Sequence, residues 1–311
     1  MSETIITLEQ CLAANENVRT KLQQATSYLS QCGVEEAKEN AQLILLHVLN
    51  VERVHLLLMW QDLFPVEKLA WWGELLSRKG KGEPIQYMIG EAWFYGRRFR
   101  VSPSVLIPRP ETELLVEAVI KEGTKLWHNK AKQPVVLDIG TGSGAISLTM
   151  QLEQPNWHVI ASDISADALT VAKHNATSFG IAEKMGWQQG DLLQPFVIEG
   201  HGLQYEGENI DILVSNPPYI PQSDMAQLQR EVRDYEPHLA LVGGEDGLNP
   251  YRIMILKLSQ LAVKPAIVAF ELGIHQPAIV VEMLKEIGAW DDISIITDYN
   301  GIDRHVIAKK K

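Results

Sequence analysis

Two cysteines in 311 residues, Cys11 and Cys32, are too few for a disulfide framework or a zinc cluster. Positive charge is also short: 28 Lys and Arg face 39 Asp and Glu, a formal net charge of −11. That balance argues against a protein that grips nucleic acid through bulk electrostatics. Long apolar runs are missing, since "LILLHVLN" (43–50) is far shorter than a membrane span. The first residues, "MSETIITLEQ", show no basic stretch leading into an apolar one, so a cytoplasmic protein without a signal peptide is expected. The nine histidines are scattered with no HExxH pair, and no metal site is expected. A Walker lysine is absent after the glycines at 140–144, and Thr141 stands where a nucleophile elbow on Ser143 needs glycine.

At 46% hydrophobic, the chain can build two domains, one with a large core. Residues 1–81 read as an N-terminal helical domain for substrate recognition, with helical apolar spacing in "AQLILLHVLN" and "VHLLLMW". Pro65 is expected to start a further helix carrying Trp71, Trp72, Leu75 and Leu76. A linker over 82–110 contains "AWFYGRRFRV", aromatics and charges around Gly96, which predicts a β-hairpin. Pro110 suits a first helical turn, with Glu111 and Glu113 at the positive end of the dipole. Arg78, Lys79, Lys81, Arg97, Arg98 and Arg100 form a local basic concentration, read as a solvated face or a docking patch.

Over 111–311 strands and helices alternate. "PVVLDIG" and the apolar run of "IDILVSN" suit buried parallel strands, and "WHVIASD", "MGWQQGD" and "PAIVAFELG" continue the strand series. The alternation predicts an α/β fold with a Rossmann-like, doubly wound sheet. The terminal "ISIITDYNGIDRHVIAKK" predicts a hairpin around Asn300-Gly301, making the last strand antiparallel.

"LDIGTGSGAIS" (137–147) sets Gly140, Gly142 and Gly144 between a strand and a helix, where bare backbone and unpaired N–H groups meet a ligand. This loop alone does not separate a nicotinamide dinucleotide from S-adenosyl-L-methionine. Asp163, ending the next strand, is placed to accept both ribose hydroxyls, and Asp191, ending the third, to accept an adenine amino group. Asp138 near the first strand's end needs a cationic partner, which favours an α-amino group over a pyrophosphate. "SNPPYI" (215–220) stops the fourth strand with two prolines. There the Asn216 side-chain oxygen and the Pro217 carbonyl could accept N–H from a planar NH₂ nitrogen that turns positive as it takes a methyl group, while Tyr219 covers its flat face. No tuned general base is needed.

Nearly the full length resembles the HemK/PrmC protein-glutamine methyltransferases, through "GEPIQYMIG", "LIPRPETELLVE", "VLDIGTGSGAI", "SNPPYI" and "YEPHLALVGGEDGL". The resemblance implies methyl transfer from S-adenosyl-L-methionine, leaving S-adenosyl-L-homocysteine, to the glutamine of a Gly-Gly-Gln tripeptide in peptide chain release factors. It implies donor binding by Gly140, Thr141, Gly142, Ser143, Gly144 and Asp163, and glutamine binding by Asn216, Pro217, Pro218 and Tyr219. Some relatives carry an adenine-stacking aromatic where this chain has Leu192; an aliphatic side chain can still cover that face. Direct nucleic-acid binding is not expected, nor is membrane attachment, and a monomer is. Rival readings are a ribosomal-protein glutamine methyltransferase, an adenine-N6 nucleic-acid methyltransferase, a donor-binding module without activity and a nicotinamide dehydrogenase.

Overall fold

A computed structural model describes residues 5–128 and 130–311, which divide into two compact units. The first spans residues up to Gly90 together with Gln229–Tyr235. It holds helices α1 (Leu8–Cys11), α2 (Val18–Gln31), α3 (Ala37–Leu49), α4 (Arg53–Leu58), α5 (Leu69–Gly80) and α6 (Ile85–Ile89), joined by α10 (Arg230–Tyr235) from far along the chain. Asn17 caps α2 by accepting the Thr20 N–H at 2.8 Å. Val18, Leu22, Ala25 and Leu29 then fall on one face of α2 and meet Ile44, Leu45 and Val48 of α3 and Trp72, Leu75 and Leu76 of α5. Pro65 does not begin α5 directly. A 3₁₀ turn over Val66–Lys68 intervenes and runs into the helix.

The basic residues of this stretch are largely committed to partners. Within the helical unit Lys79 is buried, donates to the Glu83 carbonyl at 3.3 Å and pairs with Glu231, while Arg78 forks onto Glu83. In the other unit Arg97 pairs with Glu153 at 2.6 Å, and Arg98 lies over Trp93.

The second unit, Glu91–Leu228 with Glu236–Lys311, opens with the hairpin β1 (Glu91–Phe94) and β2 (Arg97–Arg100). Tyr95 and Gly96 turn it with φ of 50° and 71°, the positive pair that a two-residue hairpin loop requires. Helix α7 (Pro110–Trp127) follows, with Pro110 in its first turn and Glu113 accepting the Tyr95 N–H at 2.7 Å. Then come β3 (Val135–Ile139), α8 (Ala145–Glu153), β4 (His158–Asp163), α9 (Ala166–Ser178), β5 (Gly186–Gln189), a small hairpin of β6 (Gln204–Tyr205) and β7 (Glu208–Asn209), β8 (Ile212–Ser215), α11 (Asn249–Gln260), β9 (Ile267–Glu271), α12 (Pro277–Ile287), β10 (Asp292–Thr297) and β11 (Asp303–Lys309).

Seven strands form one sheet in the order β10-β11-β9-β8-β3-β4-β5, and β11 runs antiparallel to both of its neighbours. The expected α/β class with an antiparallel last strand is the one observed. Side chains alternate between two cores: Val135, Leu137 and Ile139 face the layer of α11 and α12, and Val136 faces that of α7 and α8. Both faces are therefore covered, which is why the central parallel strands β3, β8 and β9 are mostly apolar. The chain leaves β3 outward through β4 and β5, then returns to β8 on the other side of β3. That reversal opens a crevice at the carboxyl ends of β3, β4 and β8.

Candidate active site

The crevice is a cavity of about 630 Å³ lined from four directions. Gly140–Ser143 come from the end of β3, Asp163 and Ser165 from β4, Asp191 and Leu192 from beyond β5, and Asn216, Pro217 and Pro218 from beyond β8. Parallel register places these ends side by side, since Ile139 is paired with Ser162 on one side and with Ser215 on the other. Each strand's next residues thus open onto one space.

The glycine loop is tied down by its own backbone. Gly140 and Thr141 N–H groups both donate to the Ser162 carbonyl at 2.9 Å, and Gly144 N–H donates to the Thr141 carbonyl at 2.8 Å. Gly140 and Gly142 have φ of 72° and 57°, and a side chain on either would enter open space. A ligand can therefore approach the bare backbone there. Gly144 has a different duty: a Cβ would lie 2.8 Å from the Leu148 side chain, so glycine lets the loop pack on its own helix.

Asp163 is nearly buried, and each carboxylate oxygen accepts one backbone N–H at 2.9 Å, Oδ2 from Gly142 and Oδ1 from Ser165. Burial raises its pKa, against the lowering effect of these two bonds. Its remaining lone pairs leave capacity for hydroxyl donors from the cavity. Asp191 is exposed at the rim, and Leu192 is half-buried with φ of 47°, a left-handed backbone unusual for a bulky residue.

Besides Gly144, two sequence-nominated residues stand back from the cavity lining. Asp138 projects to the α8 side of β3 and is fully buried; its Oδ2 accepts from Thr141 Oγ1 at 2.7 Å and from Ser147 N–H at 3.1 Å, while Oδ1 has no partner. Tyr219 is half-buried against the core on the α11 and α12 side, and its carbonyl accepts from Gln276 Nε2 at 2.9 Å. Burial, with Glu271 adding to it, pushes the Tyr219 phenol up to about 12. The orphaned Asp138 oxygen fits a site that receives a cationic group, and the open backbone at Gly140 and Gly142 fits a ligand that crosses the loop closely.

Burial pushes the Asp138 carboxyl up to about 7, only partly offset by the Thr141 and Ser147 hydrogen bonds. A raised carboxyl favours folding while protonated, so its contribution is intact near pH 4 and is lost as pH rises through about 7. Asp138→Asn, which cannot ionise, should gain melting temperature relative to the parent across that window. A difference that stays constant with pH would show that Asp138 does not titrate there.

Sequence reasoning gave no role to four further residues of this region. Arg109, at the cavity wall, pairs with buried Glu236, whose other oxygen accepts the Ile107 N–H at 3.3 Å. Thr112, also at the wall, donates to buried Glu271 at 2.6 Å. These pairs join residues more than a hundred positions apart, which no local pattern announces. The stretch after Tyr219 folds back as a short ladder, with Ile220 N–H on the Leu241 carbonyl and Gly243 N–H on the Ile220 carbonyl, both at 2.9 Å. It brings Pro237, Leu239 and Val242 to the cavity wall.

The family model described as methyltransferase small domain matches residues 111–241, and the one described as PrmC N-terminal domain matches residues 20–90. The solved human methyltransferase 10 domain containing protein superposes with a TM-score of 0.51 at 16% identity, over 70% of this chain and 90% of that one, a likeness of fold. The family model marks residues 111–241 as a methyltransferase domain. The release factor glutamine methyltransferase of Bacillus anthracis is 41% identical over 93% of this chain and 97% of its own length. Its counterparts in Bacillus subtilis and Chlorobaculum tepidum are 38% and 37% identical, over 92% and 91% of this chain and 96% and 94% of theirs. The chain belongs to the release factor glutamine methyltransferase family.

Proposed function

We propose that this protein transfers a methyl group from S-adenosyl-L-methionine to the side-chain amide nitrogen of the glutamine in the Gly-Gly-Gln tripeptide of peptide chain release factors. The observation that carries the reading is one cavity shared by the glycine loop, Asp163 and the Asn216-Pro217-Pro218 corner. The donor supplies an electrophilic methyl on a sulfonium and leaves as S-adenosyl-L-homocysteine. Gly140 and Gly142, with Thr141 and Ser143 beside them, hold it by close backbone approach, while Gly144 keeps the loop against its helix. Asp163 accepts the donor's ribose hydroxyls, and Asp191 and Leu192 border its adenine. Asp138 acts from behind the loop, fixing the Thr141 hydroxyl and favouring positive charge.

Asn216 and Pro217 bind the acceptor amide. An amide nitrogen is a poor nucleophile because its lone pair is shared with the carbonyl, and it becomes positive as the new bond forms. The Asn216 Oδ1 and the Pro217 carbonyl each accept one of its N–H groups, which stabilises that charge where it develops. Pro217 and Pro218 stiffen the corner, so that the acceptor nitrogen is held in line with the methyl group. Tyr219 supports this corner from the core side through the Gln276 bond to its carbonyl. Among the described residues no histidine lines the cavity.

The helical unit, with the hairpin linker, serves substrate recognition, and the protein acts in the cytoplasm as a monomer without direct nucleic-acid contact. None of its helices among the described residues is long and apolar enough to cross a membrane. Incubation with labelled donor tests the substrate class. Label should move to purified release factor and not to ribosomal proteins; transfer to a ribosomal protein alone would move the enzyme to that substrate.

A further inference from the structure

Thr112 Oγ1 lies 3.3 Å from Asn216 Nδ2 and 2.6 Å from Glu271 Oε2. Both Thr112 and Glu271 are buried, at 4% and 2% exposure, so the bond between them is not traded with bulk water. A threonine hydroxyl has a single proton. The carboxylate takes it, because a bond to a charged acceptor is shorter and stronger than one to a neutral amide. Toward Asn216 the hydroxyl oxygen can then only accept. Of the two ends of the Asn216 amide, only the NH₂ can satisfy it, so the carbonyl end is turned away from Thr112.

Glu271 is held in turn by the fold. It ends β9, where the ladder pairs it with His305 of β11, and its Oε2 lies 3.6 Å from His305 Nε2. The Tyr251 hydroxyl donates to the Glu271 carbonyl at 2.6 Å. Thr112 sits in the first turn of α7, fixed there by Pro110. Glu271 of β9, Thr112 of α7 and Asn216 beyond β8 thus form one hydrogen-bonded chain.

We propose that Thr112 and Glu271 are positioning residues that set which end of the Asn216 amide faces the acceptor. With the relay in place, Asn216 offers an oxygen, so the site takes a group that brings N–H, a carboxamide, and disfavours a carboxylate of the same shape. Glutamine is thereby selected over glutamate by a hydroxyl that does not itself touch the reacting atoms. Without the relay, Asn216 can present either end, and part of the population offers N–H to N–H. This inference rests on the role proposed for Asn216.

Three Thr112 variants, read in the methyl-transfer assay, test it. Thr112→Val keeps the shape and removes the hydroxyl; Thr112→Ala removes it with less bulk, should valine not be accommodated; Thr112→Ser keeps it. Valine and alanine should lower kcat by about 100-fold, the scale of a misplaced catalytic contact. Donor affinity should stay near the parent's, and melting temperature should fall in valine and alanine because buried Glu271 loses its donor. Serine should restore most of the rate and of the melting temperature. Parental kcat in the valine or alanine variants would overturn the relay, as would a serine variant as slow as alanine. Asn216→Ala in the same assay separates the two levels: if it keeps full turnover, the reading of Asn216 itself has failed rather than the relay.

Discussion

Asn216→Ala is expected to lower turnover by about 10²- to 10³-fold, the usual cost of removing one group that stabilises developing charge. The donor dissociation constant should remain near the parent's, because the glycine loop and Asp163 stand on other strands and are held by their own bonds. The split follows from where charge appears. In the ground state the acceptor nitrogen is neutral and its N–H groups can bond water almost as well. Only in the transition state does the nitrogen become cationic, and there Asn216 Oδ1 is worth most. A variant that binds donor poorly but turns over normally when saturated would reverse this assignment. Kinetics with donor titration and calorimetric binding measure both arms.

Asp163→Ala should act in the opposite sense, weakening donor binding by at least about 100-fold, roughly 2.7 kcal/mol or more. Two causes add. The carboxylate would no longer accept ribose hydroxyls, and bonds to a charged acceptor contribute about 1.5–3 kcal/mol each. The Gly142 and Ser165 N–H groups, both held at 2.9 Å by Asp163, would lose their partner, so the loop itself loosens. Asp163→Asn, which keeps one acceptor oxygen, should fall between alanine and parent. Once donor saturates, the rate should recover in both variants. Donor affinity unchanged in Asp163→Ala would remove this residue from the binding site.

Much of this arrangement was legible before any coordinates because it is local. The strands announce themselves as short apolar runs, since both faces of a parallel sheet are covered. Glycines at 140, 142 and 144 mark a loop that must approach a ligand and its own helix closely. Asp163 follows from the end of the next strand, and Pro217-Pro218 from the end of the fourth. What escaped the sequence is non-local or depends on side-chain direction. Asn216 meets Thr112 across 104 residues, Thr112 meets Glu271 across 159, and Arg109 meets Glu236 across 127. No spacing rule reaches so far.

Strand parity explains Asp138. Its side chain must point to the α8 face because Leu137 and Ile139 point to the other, so it lies behind the loop rather than in the cavity. The positive φ of Leu192 and the packing of Tyr219 are likewise set by the chain after the strand ends, where sequence periodicity stops giving direction.

The central claim is that the acceptor is one glutamine side chain. It is tested most directly by incubating purified protein, donor and release factor, then locating the added methyl by fragmentation mass spectrometry. The account predicts a single methyl on the amide nitrogen of the Gly-Gly-Gln glutamine, lost when that glutamine is replaced by glutamate. A methyl on any other residue, or its persistence in the glutamate variant, would contradict it.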